Sequence, residues 1–201
     1  YYTPRVEIDL MCRLSLVDWL INHLGETRRD ALTEFVFAFD AEDRAAADQR
    51  LVSLNLWPEV DRLLQSVTVC DPACGSGSFL VGMLHVLDDL QARAEHQLGR
   101  PQRPYDRKKR IVERSLYGVD VMEWAVHVAE LRLWLQLLIE TDVDPRELQV
   151  QPVLPNLSFK VRQGDSLVQR IGAIDLAQRS RGAIPAALKG RLTRLQGAKA
   201  N

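Results

Sequence analysis

Only three cysteines occur in 201 residues, Cys12, Cys70 and Cys74, and their irregular spacing excludes a disulfide framework. A reducing, cytoplasmic setting is the expectation that follows. No apolar run is long enough for a transmembrane helix and no signal-peptide pattern is present, so no membrane partner is expected. There is no excess of one charge: 26 Lys and Arg oppose 27 Asp and Glu, for a net charge of -1. Without a global basic field, this stretch is not expected to carry most of any nucleic-acid affinity. Internal repeats are absent, and Cys70-x-x-x-Cys74 is not a metal-ligand spacing. What is present is ordinary for a globular domain: 46% hydrophobic residues, in a chain long enough for one proper core.

Val6, Leu10, Leu14, Val17, Ile21 and Leu24 recur at helical spacing and predict a helix over 4–24. Thr3 is placed to cap it, with Pro4 at the first helical position. Two more helices are expected over 27–39 and 41–54, broken at Asp40 and Asn55, with Phe35, Phe37 and Phe39 assigned to packing. From Ser66 the grammar becomes strand, turn, helix. Strands are expected over 67–70, 116–119 (ending at Asp120) and 159–163 (ending at Gly164-Asp165). Helices are expected over 78–98 and 123–140. A basic connection covers 100–110 and a Pro-broken loop 142–155. The organisation predicted is a helical segment (1–65), an α/β core with a partial parallel sheet (66–167) and a tail (168–201), where Leu188, Leu192 and Leu195 allow a helix. Alternating βαβ units imply right-handed crossovers. Ligands of such sheets bind outside the carboxyl ends of the strands, where Asp71, Asp120 and Asp165 stand.

The decisive segment is Asp71-Pro72-Ala73-Cys74-Gly75-Ser76-Gly77-Ser78-Phe79-Leu80. It runs from a β-branched strand through a glycine turn into an apolar helix. Gly75 and Gly77 permit backbone angles closed to other residues and close approach of a ligand, and the helix start offers unpaired N–H groups. A phosphate cradle would leave this turn uncharged or basic. Asp71 at the strand end instead suits a cationic group such as an ammonium. Asp120 is able to accept hydrogen bonds from both hydroxyls of a ribose; capping of the next helix is the alternative. Gly164-Asp165 is either a turn dipeptide or part of the same site. Cys74 has no histidine placed beside it and reads as a small residue in a tight turn. The run from Arg100 to Arg114 reads as a solvated surface connection.

The ten-residue string resembles motif I of the S-adenosylmethionine-dependent DNA adenine-N6 methyltransferases of bacterial restriction-modification and phage-defence systems. Leu116-Tyr117-Gly118-Val119-Asp120 is similar to their motif II, Gln163-Gly164-Asp165-Ser166-Leu167 to motif III, and Tyr1-Tyr2-Thr3-Pro4 to motif X. Leu154-Pro155-Asn156-Leu157 is also typical of the large members. The resemblance implies a Rossmann-like class I methyltransferase fold and S-adenosyl-L-methionine as cofactor. It implies that Asp71 meets the cofactor's ammonium and that the backbone of Pro72, Ala73, Cys74, Gly75 and Gly77 passes along its methionine and ribose. Asp120 would hold the ribose, and Val121 would pack on the adenine. Asp165 and Ser166 would line the adenine pocket, Thr3 would contact the carboxylate, and Phe79 would pack in the core with contact at the rim.

The catalytic signature of these enzymes, Asn/Asp-Pro-Pro-aromatic, occurs nowhere in the sequence. The resemblance covers most of residues 1–167 but only the cofactor-binding half. Tyr1 in place of an initiating Met and the Lys/Arg/Gly/Ala-rich close over 189–201 fit a piece of a longer type II or IIG enzyme, with double-stranded DNA as the partner of the whole. No catalytic residue is assigned here, and no turnover is expected of the piece alone. A type I modification subunit, an RNA or protein-glutamine methyltransferase, and a non-catalytic cofactor-binding or protein-interaction module are the alternatives.

Overall fold

A computed structural model describes residues 3–139, 155–157, 159–168, 170–171 and 174–175. Helices α1 (Arg5–Leu24), α2 (Arg29–Phe37), α3 (Ala41–Ser53) and α4 (Trp57–Ser66) precede strand β1 (Val69–Asp71); α5 (Ser78–Gln97), α6 (Pro104–Arg114), β2 (Leu116–Asp120), α7 (Glu123–Leu138) and β3 (Val161–Gln163) follow. The sheet runs β1-β2-β3 and is parallel throughout, with Asp71 opposite Gly118 and Asp120 opposite Gln163. These elements fall in one compact unit, Tyr1–Ser166; a second unit, Leu167–Asn201, contains the short antiparallel pair β4 (Arg170–Ile171) and β5 (Ile174–Asp175). The α/β class and the parallel order agree with the sequence reading. The expected tail helix and most of the 142–155 loop lie outside the described residues.

Helix α5 is the strut of the larger unit. Leu80, Leu84, Leu87, Leu90 and Ala94 are buried along it. It packs against α1, α4, α6, α7 and β2. The approach to α1 is close enough that a Cβ on Gly82 would stand 2.5 Å from Ile8 Cγ2. Helix α1 has the expected length, but it buries Ile8, Cys12, Leu16 and Leu20, and leaves Val6, Leu10 and Leu14 exposed. Leu116 and Gly118 of β2 face the helices. Alternation puts Tyr117 on the opposite face, where the Lys160 ammonium lies 3.9 Å from its ring centroid.

Several expectations need correction. The cap of α1 is Pro4, with no side-chain bond, so Thr3 lies outside the helix and does not cap it. The 27–39 helix begins as a short 3-10 turn, Glu26–Arg28, and α2 proper ends at Phe37. Phe39 lies beyond α2 and is exposed, with the Arg13 guanidinium 4.6 Å over its ring, whereas Phe35 is fully buried. Helix α4 starts only two residues after the break at Asn55, where no helix is predicted, and it carries Pro58 in its first turn, where proline is tolerated. Its last turn takes the Val67 N–H, which bonds to Leu63 O and delays the strand to Val69.

The basic connection is the helix α6. Its charges hide its period, because Arg107 and Lys108 share the buried face with Ile111 and Val112. They meet acids on α5: Arg107 Nε donates to Asp88 at 2.7 Å, and Arg107 and Arg110 donate to Glu95 at 3.0 and 2.9 Å. Arg100 pairs with the buried Asp61 and Arg103 with Asp106. Much of this positive charge is thus neutralised within the fold.

Candidate cofactor site

Asp71 ends β1, and its carboxylate accepts the Ala73 N–H at 3.1 Å, turning the chain over Pro72. Gly77 donates to Cys74 O at 2.8 Å and caps α5. Gly75 and Gly77 both have positive φ, +51° and +79°, where only glycine is unstrained. Their surroundings differ. A Cβ on Gly77 would stand 2.9 Å from Ala129 Cβ of α7, whereas one on Gly75 would meet nothing within 4 Å. Gly77 therefore lets α7 in, and Gly75 fronts open space.

Strand β2 holds this loop from the side. Cys74 donates to Val119 O at 2.9 Å, and the Asp120 carboxylate accepts Gly75 N–H at 2.8 Å and Met122 N–H at 2.9 Å. Met122, not Asp120, is the cap residue of α7, so the capping alternative for Asp120 does not hold. The third strand end joins in: Gly164 donates to Asp120 O at 2.8 Å, Gln163 Nε2 to Val121 O at 3.1 Å, and Ser166 Oγ to Pro72 O. Asp165 and Ser166 are exposed, and Val121 stands 61% exposed beside Asp120, an apolar surface at the rim.

On the far side, α1 walls a cleft of about 270 Å³ lined by Met11, Cys12, Ser15, Asp71, Pro72, Phe79 and Met83, among others. Phe79 is half-buried, packs on the core and lines this cleft. Thr3 is half-buried before α1, and no bond ties it to the loop among the described residues.

Burial raises the Asp71 carboxyl above its ordinary range; the Ala73 N–H opposes this, and the charge of Asp120 adds to it. Burial, then Asp71 and Asp120, push the Cys74 thiol up to about 11. Burial, Asp9 and Asp71 do the same to Cys12, also to about 11. Neither is a thiolate at neutral pH, so neither is an activated nucleophile. Cys74 is instead packing: its Sγ lies 3.0 Å from where a Cβ on Gly118 would be. Among the described residues, no three His, Cys, Asp or Glu side chains converge to hold a metal ion, and no helix is long and apolar enough to cross a membrane.

The site thus brings together Asp71, the Pro72–Gly77 turn, Asp120, Val121 and Ser166. It also contains a residue the sequence reading missed, Arg132 of α7, which bonds to Ser76 and Ser78. Its signal was a lone cation inside the apolar run Leu131-Arg132-Leu133-Trp134-Leu135.

Residues 44–170, more than half of the chain, match the family described as MmeI, DNA-methyltransferase domain. The match takes in every site residue above except Thr3, Cys12 and the other α1 positions. A protein of Methanocaldococcus jannaschii named as a type II restriction enzyme and methyltransferase is 32% identical over 151 residues, which cover 75% of this chain and 12% of that protein. No solved structure matches. On the extent of the match and the loop geometry it encloses, the chain belongs to the MmeI DNA-methyltransferase domain family.

Proposed function

We propose that this chain binds S-adenosyl-L-methionine at the carboxyl ends of β1, β2 and β3. We further propose that it is the cofactor-binding part of a restriction-modification or phage-exclusion enzyme that methylates adenine N6 in double-stranded DNA. The observation that carries the cofactor reading is the junction of acid and glycine loop: the Asp120 carboxylate bonded to Gly75 N–H, with open space in front of Gly75. The residues fit the cofactor. Asp71, with a single described amide bond, has acceptor capacity left for an ammonium. Each Asp120 oxygen accepts one amide and retains a lone pair for a ribose hydroxyl. Val121 and Met122 offer apolar surface for a purine, and the exposed Asp165 offers an acceptor for its amino group. Thr3 is proposed for the carboxylate by the resemblance of Tyr1-Tyr2-Thr3-Pro4 alone. Bound there, the cofactor supplies a methyl group activated on a sulfonium. The chain contributes orientation, which is most of what such a transfer requires. The sequence lacks the Asn/Asp-Pro-Pro-aromatic group that would position the target base, so cofactor binding without turnover is expected of it. The family match favours DNA over RNA or protein as the target.

Calorimetric titration of S-adenosylmethionine and its demethylated product tests this. Binding in the micromolar range, on the order of -8 kcal/mol, is expected for the native chain, and none for Asp120→Ala. Lack of binding both by the folded chain and by a longer protein carrying the catalytic tetrapeptide would overturn the reading.

The raised Asp71 carboxyl gives the same titration a pH signature. An ammonium requires the ionised form, so affinity rises with pH through the raised titration and levels off above it. Ligand-free stability takes the opposite sign: the folded state keeps a proton that the unfolded chain releases, so this group's contribution falls as pH rises from 3.8 through the folded value. Asp71→Asn is expected to weaken binding and flatten the affinity profile. A profile unchanged in that variant would remove Asp71 from the ammonium site.

A further inference from the structure

We propose that Arg132 is a positioning residue for the glycine loop, holding it in its binding shape before any ligand arrives. Arg132 projects from the middle of α7. Its Nη1 lies 3.0 Å from Ser76 O, 3.2 Å from Ser76 Oγ and 2.9 Å from Ser78 Oγ. That nitrogen carries two hydrogens, so the three acceptors share them, and all three belong to the turn that enters α5. A cation beside a helix N-terminus runs against the helix dipole. The placement makes electrostatic sense through the bonds to the Ser76 carbonyl and the two hydroxyls.

The consequence falls on the loop. Ser76 sits between the two positive-φ glycines, the least restrained stretch of backbone in the site. Cys74 and Gly75 are tied to β2, and Gly77 rests on Ala129. Among the described residues, Arg132 is what ties Ser76. Ala129 and Arg132 lie three apart, on neighbouring positions of α7. The helix that follows Asp120 therefore forms the back wall of the loop, and one β2–α7 unit sets both the proposed ribose acid and the turn in front of it. Fixing the loop in advance removes an ordering cost from ligand binding.

This inference rests on the reading of the loop as an S-adenosylmethionine site, and the test separates the two. In the native chain, Arg132→Met is expected to weaken S-adenosylmethionine binding about tenfold, the scale of a lost charged hydrogen bond. Amide hydrogen exchange of Gly75–Ser78 is expected to speed up about tenfold without ligand, while Leu84 and Leu87 within α5 keep their protection. A merely structural arginine would not confine its effect to the loop. Arg132→Lys restores part of the affinity, since an ammonium still donates to these oxygens. Ser76→Ala/Ser78→Ala, with α7 untouched, weakens binding by itself and shrinks the further effect of Arg132→Met. If Arg132→Met does not fold, the serine pair carries the test. Wild-type affinity and unchanged loop exchange in the serine pair or in Arg132→Met overturn the proposal. If neither the native chain nor a longer protein carrying the catalytic tetrapeptide binds S-adenosylmethionine, the cofactor reading fails, and the exchange measurement alone decides the role of Arg132.

Discussion

Gly77→Ala is expected to abolish cofactor binding and to lower stability by about 2–4 kcal/mol, combining a strained backbone with overpacking. Two independent constraints meet at this residue. Its φ is +79°, a conformation costly for any residue with a Cβ. The added Cβ would also lie 2.9 Å from Ala129 Cβ and 3.1 Å from Ala129 Cα. Ala129 is fully buried and has no rotamer to change, so the loop or the backbone of α7 has to move. Either movement displaces the Gly75 N–H from Asp120. Thermal unfolding is expected to shift down by about 5–15 °C for a chain of this size.

Gly75→Ala is the informative contrast. Its φ of +51° is reachable by alanine at modest cost and its Cβ would meet nothing within 4 Å. The fold should therefore survive with a loss of about 1 kcal/mol. The new methyl would occupy the open space in front of the loop, and affinity should fall much further than stability. Equal loss of binding and stability in both variants would mean that Gly75 does not face the ligand.

The contrast also marks what was legible in the sequence. Acid, two glycines and a helix start identify a loop whose backbone has to do unusual things, because few residues but glycine can do them. Nothing in the string says which glycine faces a ligand and which faces a neighbouring helix. That depends on Ala129, more than fifty residues away in the chain. The strand ends were legible for a similar local reason: Asp71 and Asp120 follow short runs rich in apolar and β-branched residues and precede helical periodicity. Arg132 was not, because its partners lie on another element. The helices α4 and α6 were lost where local rules mislead. A proline in a first turn resembles a stop, and a helix that buries Arg107 and Lys108 has no apolar stripe to read.

That buried face carries the second large effect. Glu95 is 1% exposed and accepts hydrogen bonds from Arg107 at 3.0 Å and Arg110 at 2.9 Å. Burial pulls the Arg107 guanidinium toward its neutral form, but Asp88 and Glu95 outweigh it, so the group titrates above its usual value and stays charged. Glu95→Ala therefore leaves guanidinium charge with too little compensation, and Arg107 is the more deeply buried of the two. The expected cost is about 3–5 kcal/mol, or about 10 °C or more in unfolding temperature. Glu95→Gln, which keeps an acceptor and the shape, should lose clearly less. Adding Arg107→Met to Glu95→Ala should recover part of the loss, since replacing both members of a buried pair by apolar groups is often close to neutral. No recovery in the double variant would assign the loss to packing and not to charge. At about 1.5 Å rise per residue, Glu95 stands roughly 25 Å along α5 from Ser78. Below its lowered unfolding temperature, Glu95→Ala should therefore match the native chain in the titration that tests the proposed S-adenosylmethionine binding. Stability and affinity are expected to separate along this one helix, with its first turn serving the ligand and its last turns anchoring α6.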